Sequence, residues 1–182
     1  MSIFKQIDDR GRIWQVSNLL TDDQARELTT TDWSGLPFTS SLRQESWLRR
    51  SVNWDDPTAQ RFSQYITQQL PVINQALGTK FVGCTGHFWI DLPGFTVGMH
   101  TDGHLSSAMQ LYWVTPGPDY GTGFYHYNNR DNLLYQFVSK PNTGYIMLNH
   151  PNEDGSQPLH WHGMFNPVPA GTIRVSSYWY FN

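Results

Sequence analysis

From Phe81 onward, the chain reads FVGCTGHFWIDLPGFTVGMHTDGHLSSAMQLYWV (residues 81–114). Short apolar and aromatic runs separated by turn-forming residues continue to the C-terminus, and this pattern is typical of strands. The predicted strands are Thr85–Ile90, Val97–His100, Ala108–Val114, Gly123–Tyr127, Leu133–Val138, Gly144–Leu148, Leu159–Met164 and Thr172–Phe181. Eight short strands at this spacing predict a sandwich or a barrel, not a sheet of alternating strands and helices.

The first 80 residues show a different pattern, which predicts two helices. Thr21 precedes two acidic residues and predicts the N-terminus of the first helix. A second helix is predicted from Asp56 to Gly78, with apolar residues at helical spacing. Pro71 predicts a kink or a break in this helix.

We therefore expect one mainly β domain over residues 1–182. In this expectation a helical region, residues 1–80, supports a β core at residues 81–182, and one further strand lies between the helices at residues 46–54.

Composition excludes several classes of function. Charged residues make up 15% of the chain and the formal net charge is -3, which argues against a nucleic-acid partner. The one local basic cluster, Arg49-Arg50, is too small to indicate such a surface. Cys84 is the single cysteine, so neither an intramolecular disulfide nor a cysteine-based zinc cluster can form.

The N-terminal sequence has no apolar stretch of the signal-peptide kind, and no apolar run has the length of a membrane span. We expect a soluble, cytoplasmic protein without a membrane partner.

A metal site is predicted in the β part, which contains all seven histidines. In His100-Thr101-Asp102, the first and third residues lie on the same face of a strand and could hold one ion. His160 and His162 also share a face, and either could supply a third ligand. Two imidazoles and one carboxylate leave open positions that suit non-haem iron(II).

An anion site is predicted on the last strand, where Arg174 and Ser176 share a face. An arginine that faces the inside of a barrel needs an anion, because a buried unpaired charge is costly. A guanidinium and a hydroxyl match a carboxylate, and the far carboxylate of a dicarboxylic keto acid is the natural candidate.

The order of these motifs resembles the Fe(II)/2-oxoglutarate-dependent oxygenases, in particular the prolyl-4-hydroxylase-like branch. The similarity covers about residues 81–182 and consists of His100-Thr101-Asp102-Gly103, the step His162-Gly163, and the strand that carries Arg174 and Ser176. The resemblance implies a double-stranded β-helix, which is a jelly-roll-like barrel, with iron(II), 2-oxoglutarate and O2 as cofactor and cosubstrates.

The resemblance also implies the role of each residue. His100, Asp102 and His162 would bind iron and carry catalysis, and His162 is preferred to His160 because it precedes a glycine. Arg174 would bind the C5 carboxylate of 2-oxoglutarate, assisted by Ser176 and Tyr112.

Two segments depart from the family pattern. Residues 121–124 read Gly-Thr-Gly-Phe where the family has Gly-Gly-Glu, and residues 112–114 read Tyr-Trp-Val where related enzymes have Tyr-Leu-Asn. Both lie away from the predicted ligands, so they bear on the substrate more than on the chemistry. We expect hydroxylation of a C–H bond in a peptidyl, prolyl-like substrate or in a free amino acid or small metabolite.

Two alternatives stay open at this point. A cupin-like metalloenzyme would not use 2-oxoglutarate, but its usual glutamate after the first histidine pair is missing after His100. A jelly-roll binding module with a degenerate site would lack part of the metal and anion set, which is complete here.

Overall fold

The computed structural model describes residues 3–8, 10–40, 48–102, 105–126, 129–149 and 160–182. Within these ranges the chain is mainly β. The helices are α1 (Asp22–Thr30), α2 (Pro57–Thr67) and α3 (Leu70–Leu77). The strands are β1 (Phe4–Gln6), β2 (Ile13–Ser17), β3 (Phe38–Ser40), β4 (Arg49–Val52), β5 (Cys84–Asp91), β6 (Val97–His100), β7 (Ser107–Val114), β8 (Gly123–Tyr125), β9 (Leu133–Gln136), β10 (Thr143–Leu148), β11 (Trp161–Met164) and β12 (Arg174–Phe181).

The strands form two antiparallel sheets that face each other, as in a jelly roll. The larger sheet has the order β1-β2-β10-β7-β12-β5-β4-β3, and the smaller has the order β6-β11-β8-β9. Because side chains alternate along a strand, the central strands of the large sheet present one face to the helices and the other to the small sheet.

The helix-facing side of the large sheet forms the main hydrophobic core. Phe88 of β5 and Trp179 of β12 pack there against Phe62 and Ile66 of α2. A second cluster lies on the opposite face, where Tyr178 joins aromatic residues of the small sheet. Successive side chains of β12 therefore point alternately into the two layers. The layer between the two sheets contains the site described below.

Local signals explain the helix ends. Thr21 accepts a hydrogen bond from the backbone of Gln24, whose side chain caps the Thr21 backbone in return. The predicted second helix is broken rather than kinked: α2 ends at Thr67 and α3 begins at Leu70, one residue before Pro71. Gly78 ends α3 in the left-handed conformation, with φ of 68°.

The N-terminal 80 residues contain more strands than the one expected at residues 46–54. Strands β1 to β4 also come from this region and extend both edges of the large sheet. Of these, only β4 lies inside a predicted strand, and residues 41–47 fall outside the described ranges. The other three strands are short, and five residues or fewer carry too little period-2 alternation to be read from sequence.

Most strands of the β part lie where they are predicted. β6 matches its prediction in full, and β12 begins two residues late because Thr172 is held in a turn by its backbone bond to Pro169. Tyr127 and Leu159, at the ends of two predicted strands, fall outside the described residues. No helix in the described part of the chain has the length and apolar character needed to cross a membrane.

Candidate metal and carboxylate site

Two histidines face each other across neighbouring strands of the small sheet. His100 ends β6 and pairs in register with His162 of β11, and their ring centroids are 4.3 Å apart. The Nδ1 atom of His100 lies 2.9 Å from the carbonyl oxygen of Gly98, and Nδ1 of His162 lies 2.8 Å from that of His160. Each backbone carbonyl thus engages Nδ1 and leaves Nε2 for a ligand.

Asp102 completes this group. Its Oδ1 lies 3.8 Å from Nε2 of His100, and its Oδ2 lies 3.5 Å from Nε2 of His162. One ligand atom from each of the three residues lies within 4.8 Å of the others. The hydroxyl of Tyr178, on β12, donates a hydrogen bond to Oδ2 of Asp102 and fixes the carboxylate from the opposite sheet.

The surroundings of Asp102 and His100 favour the forms that bind a cation. Burial opposes the charge of Asp102, but the hydrogen bond and charge of His162 outweigh it and lower the pKa of Asp102 to about 2. Burial also lowers the pKa of His100, and the nearby His162 lowers it further, so the neutral imidazole is favoured. Two imidazoles and one carboxylate on one side of an ion fit iron(II) with open positions for other ligands.

A cavity of about 230 Å³ lies between the sheets beside these ligands. His100, Asp102 and His162 line it on one side, and Arg174 and Arg49 also line it. The other lining side chains are mostly aromatic or apolar, among them Trp89, Leu105, Tyr145, Tyr178 and Tyr180.

Arg174, the predicted anion ligand, is buried and faces the cavity as expected for its place on β12. It already has a carboxylate partner, because its Nε and Nη2 donate to Oδ2 of Asp91 at 2.9 and 2.6 Å. Arg49 of β4 binds the same carboxylate, with Nε 2.5 Å from Oδ1 and Nη2 3.0 Å from Oδ2. All three side chains of this Arg49–Asp91–Arg174 triad are almost fully buried.

The triad places two positive charges around one negative charge. Burial alone would raise the pKa of Asp91, but the two guanidinium groups outweigh it and lower that pKa below its ordinary value. Burial lowers the pKa of Arg49, whereas Asp91 raises it. The net positive charge of the triad makes this end of the cavity suitable for an anion.

Sequence reasoning missed Arg49 and Asp91. In sequence the pair Arg49-Arg50 is only a small basic cluster, but its two side chains diverge. Arg49 is buried, and Arg50 lies over the ring of Phe38. A usable signal was present in β5, where Asp91 shares its face with His87 and Trp89 by period-2 alternation. A carboxylate on that face requires a buried cation as its partner.

Ser176 and Tyr112, the other predicted cosubstrate ligands, have hydrogen-bond partners within the protein. The Tyr112 hydroxyl donates to Oγ1 of Thr122 and accepts from the Thr122 backbone, and Ser176 accepts from Gln110. Neither residue is among those that line the cavity, whereas their partners Gln110 and Thr122 are. Their role in binding 2-oxoglutarate stays a prediction. Three other tyrosines line the cavity, Tyr145, Tyr178 and Tyr180. Burial raises the pKa of Tyr145 well above its ordinary value.

Of the other histidines that the structure describes, none belongs to the metal-binding group. Nε2 of His160 is buried and has no hydrogen-bond partner among the described residues, and His160 is absent from the ligand group. His126 is exposed, and His87 stacks on Trp89. Gly103, His104 and His150 fall outside the described residues.

Comparison with solved structures supports the architecture. A Pseudomonas putida prolyl-4-hydroxylase aligns over 97% of this chain and 96% of its own, at 18% identity and a TM-score of 0.63. An oxidoreductase of the 2OG-Fe(II) oxygenase family from Burkholderia pseudomallei aligns over 97% and 86%, at 13% identity and a TM-score of 0.65. This chain has the fold of these oxygenases.

A third similar structure is the viral collagen prolyl hydroxylase of Paramecium Bursaria Chlorella virus-1, in complex with 2OG. It aligns over 93% of this chain and 95% of its own, at 11% identity and a TM-score of 0.58. No protein-family model matches the sequence, and no curated protein is similar to it at a significant level. The fold is thus established by similarity of structure rather than of sequence.

Proposed function

We propose that the protein is an Fe(II)- and 2-oxoglutarate-dependent dioxygenase that hydroxylates a C–H bond, built on a double-stranded β-helix. One observation carries the proposal. Nε2 of His100, Nε2 of His162 and the carboxylate of Asp102 converge at one side of a cavity that Arg174 also lines. The shared fold with solved oxygenases agrees with it.

Each part of the site has a separate task. His100, Asp102 and His162 would hold the iron, and Arg174 would attract the far carboxylate of 2-oxoglutarate. When bound, iron with 2-oxoglutarate and O2 supplies the oxidation of a C–H bond. The protein orients these groups and excludes water, since most other lining side chains are apolar or aromatic.

The lining of the cavity also bears on the substrate. Trp89, Leu105 and Tyr180 present apolar and aromatic surface beside the metal ligands. Such surface suits an uncharged ring or aliphatic side chain. A prolyl-like residue of a peptide meets this description, and two of the similar structures are prolyl hydroxylases. A free amino acid or small metabolite is the other substrate class in the proposal.

The test is an anaerobic titration of the iron(II)-loaded protein with 2-oxoglutarate. We expect a weak visible charge-transfer absorption band that saturates with the cosubstrate. Iron that binds without giving this band would point instead to a cupin-like metalloenzyme, and protein that binds no iron would point to a jelly-roll binding module. Either result overturns the proposal.

Matched variants test the ligand assignment. His162→Ala should abolish iron binding, whereas His160→Ala should keep it because His160 lies outside the ligand group. The reverse result would exchange their roles. Arg174→Ala should keep iron bound but weaken 2-oxoglutarate, and normal 2-oxoglutarate affinity in this variant would refute the role of Arg174.

A further inference from the structure

Arg49 is held in an environment built for a buried cation. Its guanidinium lies between two aromatic rings, with its central carbon 4.0 Å from the ring centroid of Trp89 and 4.1 Å from that of Phe95. The two bonds to Asp91 fix its orientation further. Only 4% of Arg49 is exposed, and the residue lines the cavity.

Arg174 has little capacity left for a ligand. A guanidinium has five N–H donors. Nε and Nη2 of Arg174 each donate to Asp91, and Nη1 donates to the carbonyl oxygen of Tyr120 and contacts the sulfur of Met164. One N–H of Nη2 remains, so Arg174 alone cannot bind a carboxylate in a bidentate manner.

Arg49 has the capacity that Arg174 lacks. It uses one N–H at Nε and one at Nη2 for Asp91, and its remaining N–H groups have no partner among the described residues. Nη1 of Arg49 has no hydrogen bond to any residue that the structure describes, yet it is not a fully buried atom. It therefore keeps accessible surface. The free donors of the triad thus lie mainly on Arg49.

The charge of the triad permits one further anion. Two guanidinium groups and one carboxylate leave a single positive charge, which one carboxylate would neutralise. We propose that Arg49 is a second cosubstrate-binding residue, which binds the far carboxylate of the 2-oxo acid together with Arg174, while Asp91 holds the two guanidinium groups side by side. This inference rests on the proposed function, because it concerns the same cosubstrate.

The test compares two 2-oxo acids in the anaerobic, iron(II)-loaded protein. 2-Oxoglutarate and 2-oxopentanoate have the same chain length, but the second has a methyl group in place of the far carboxylate. The ratio of their dissociation constants measures how strongly the protein recognises that carboxylate. A ratio obtained within one preparation does not depend on the fraction of folded protein.

In the wild-type protein we expect a clear preference for 2-oxoglutarate. Arg49→Gln should reduce this preference about 10- to 100-fold, the range that follows from losing charge-assisted hydrogen bonds. Arg49→Lys is the milder change to the fold and should reduce the preference by a smaller factor, because the charge remains. Some loss is expected, because an ammonium cannot form the two-bond fork of a guanidinium. Iron affinity should not change. Arg61→Gln is the matched control, because Arg61 is half exposed and pairs with Glu27 away from the cavity.

The outcomes separate this inference from the proposed function. If wild-type protein binds iron but neither acid, the proposed function fails and this inference fails with it. If wild-type protein prefers 2-oxoglutarate and both Arg49 variants keep that preference within about twofold, well below the loss of one charge-assisted bond, Arg49 is a structural partner of Asp91 and the inference alone is wrong. A reduced preference in both variants, with Arg61→Gln unchanged, supports it.

Discussion

The substitution Asp91→Asn tests the buried Arg49–Asp91–Arg174 triad. Asn has almost the same shape as Asp, so the change removes the charge and turns one acceptor into a donor facing two guanidinium groups. Removing one partner of a buried ion pair costs about 3 to 5 kcal/mol. A domain of this size has about 5 to 15 kcal/mol of stability, so this single change removes a large fraction of it.

The assay is urea unfolding followed by tryptophan fluorescence, together with the melting temperature. A loss of that size lowers Tm by about 6 to 20 °C, taking about 2 to 4 °C per kcal/mol for a chain of this length. Asp23→Asn is the matched control. Asp23 pairs with Arg26 at a similar distance, 2.8 Å, but its side chain is 88% exposed. An exposed pair contributes at most about 1 kcal/mol.

The result that would refute the reasoning is a similar loss in both variants. It would mean that Arg49 and Arg174 find other partners or water when Asp91 is neutral, so that their burial does not depend on its charge. The free energy of unfolding measured at acid pH provides a second check, because the pKa of Asp91 is lowered. Its contribution is fully present above the unfolded pKa of about 3.9 and is lost as pH falls through the lower folded value.

Three further predictions concern other parts of the fold. Burial, with a smaller effect of Arg49, lowers the pKa of His87 below 6.5. The stability that depends on a neutral His87 ring is therefore complete above pH 6.5 and is lost as pH falls toward the folded pKa. An NMR titration of the His87 ring checks this, and a value at or above 6.5 contradicts it. Gly144→Ala should destabilise the protein by about 1 to 3 kcal/mol or more, because the new Cβ would lie 1.8 Å from the backbone oxygen of Gln110 on β7. Gly98→Ala is the control, because nothing lies within 4 Å of the Cβ that it would add. Equal urea midpoints for the Gly144 and Gly98 variants would be evidence against the close approach of β10 and β7 at Gly144. Thr21→Ala should cost about 1 kcal/mol by removing the cap of α1, and Thr21→Ser should restore most of it; an unchanged unfolding midpoint for Thr21→Ala would show that the cap is not needed.

The sequence by itself determined the features that depend on nearby residues. Short runs between turn-forming residues predicted the strands of the β part, and the residues around Thr21, Asp56 and Gly78 predicted the helix ends. The two-residue spacing of His100 and Asp102 predicted that both could hold one ion, and their ligand atoms lie within 4.8 Å of each other in the structure. These signals are local, because backbone conformation and side-chain alternation are set within a few residues.

Only the tertiary structure decided which side chains meet in the cavity. Asp91 binds an arginine 42 residues before it and another 83 residues after it, and no local pattern encodes those partners. Likewise Tyr145 rather than Tyr112 lines the space, because strand order puts β10 beside β7 and Thr122 occupies the Tyr112 hydroxyl. Burial gives such pairs their energetic weight, since a charge that is removed from water needs a partner, and the fold determines which one is within reach.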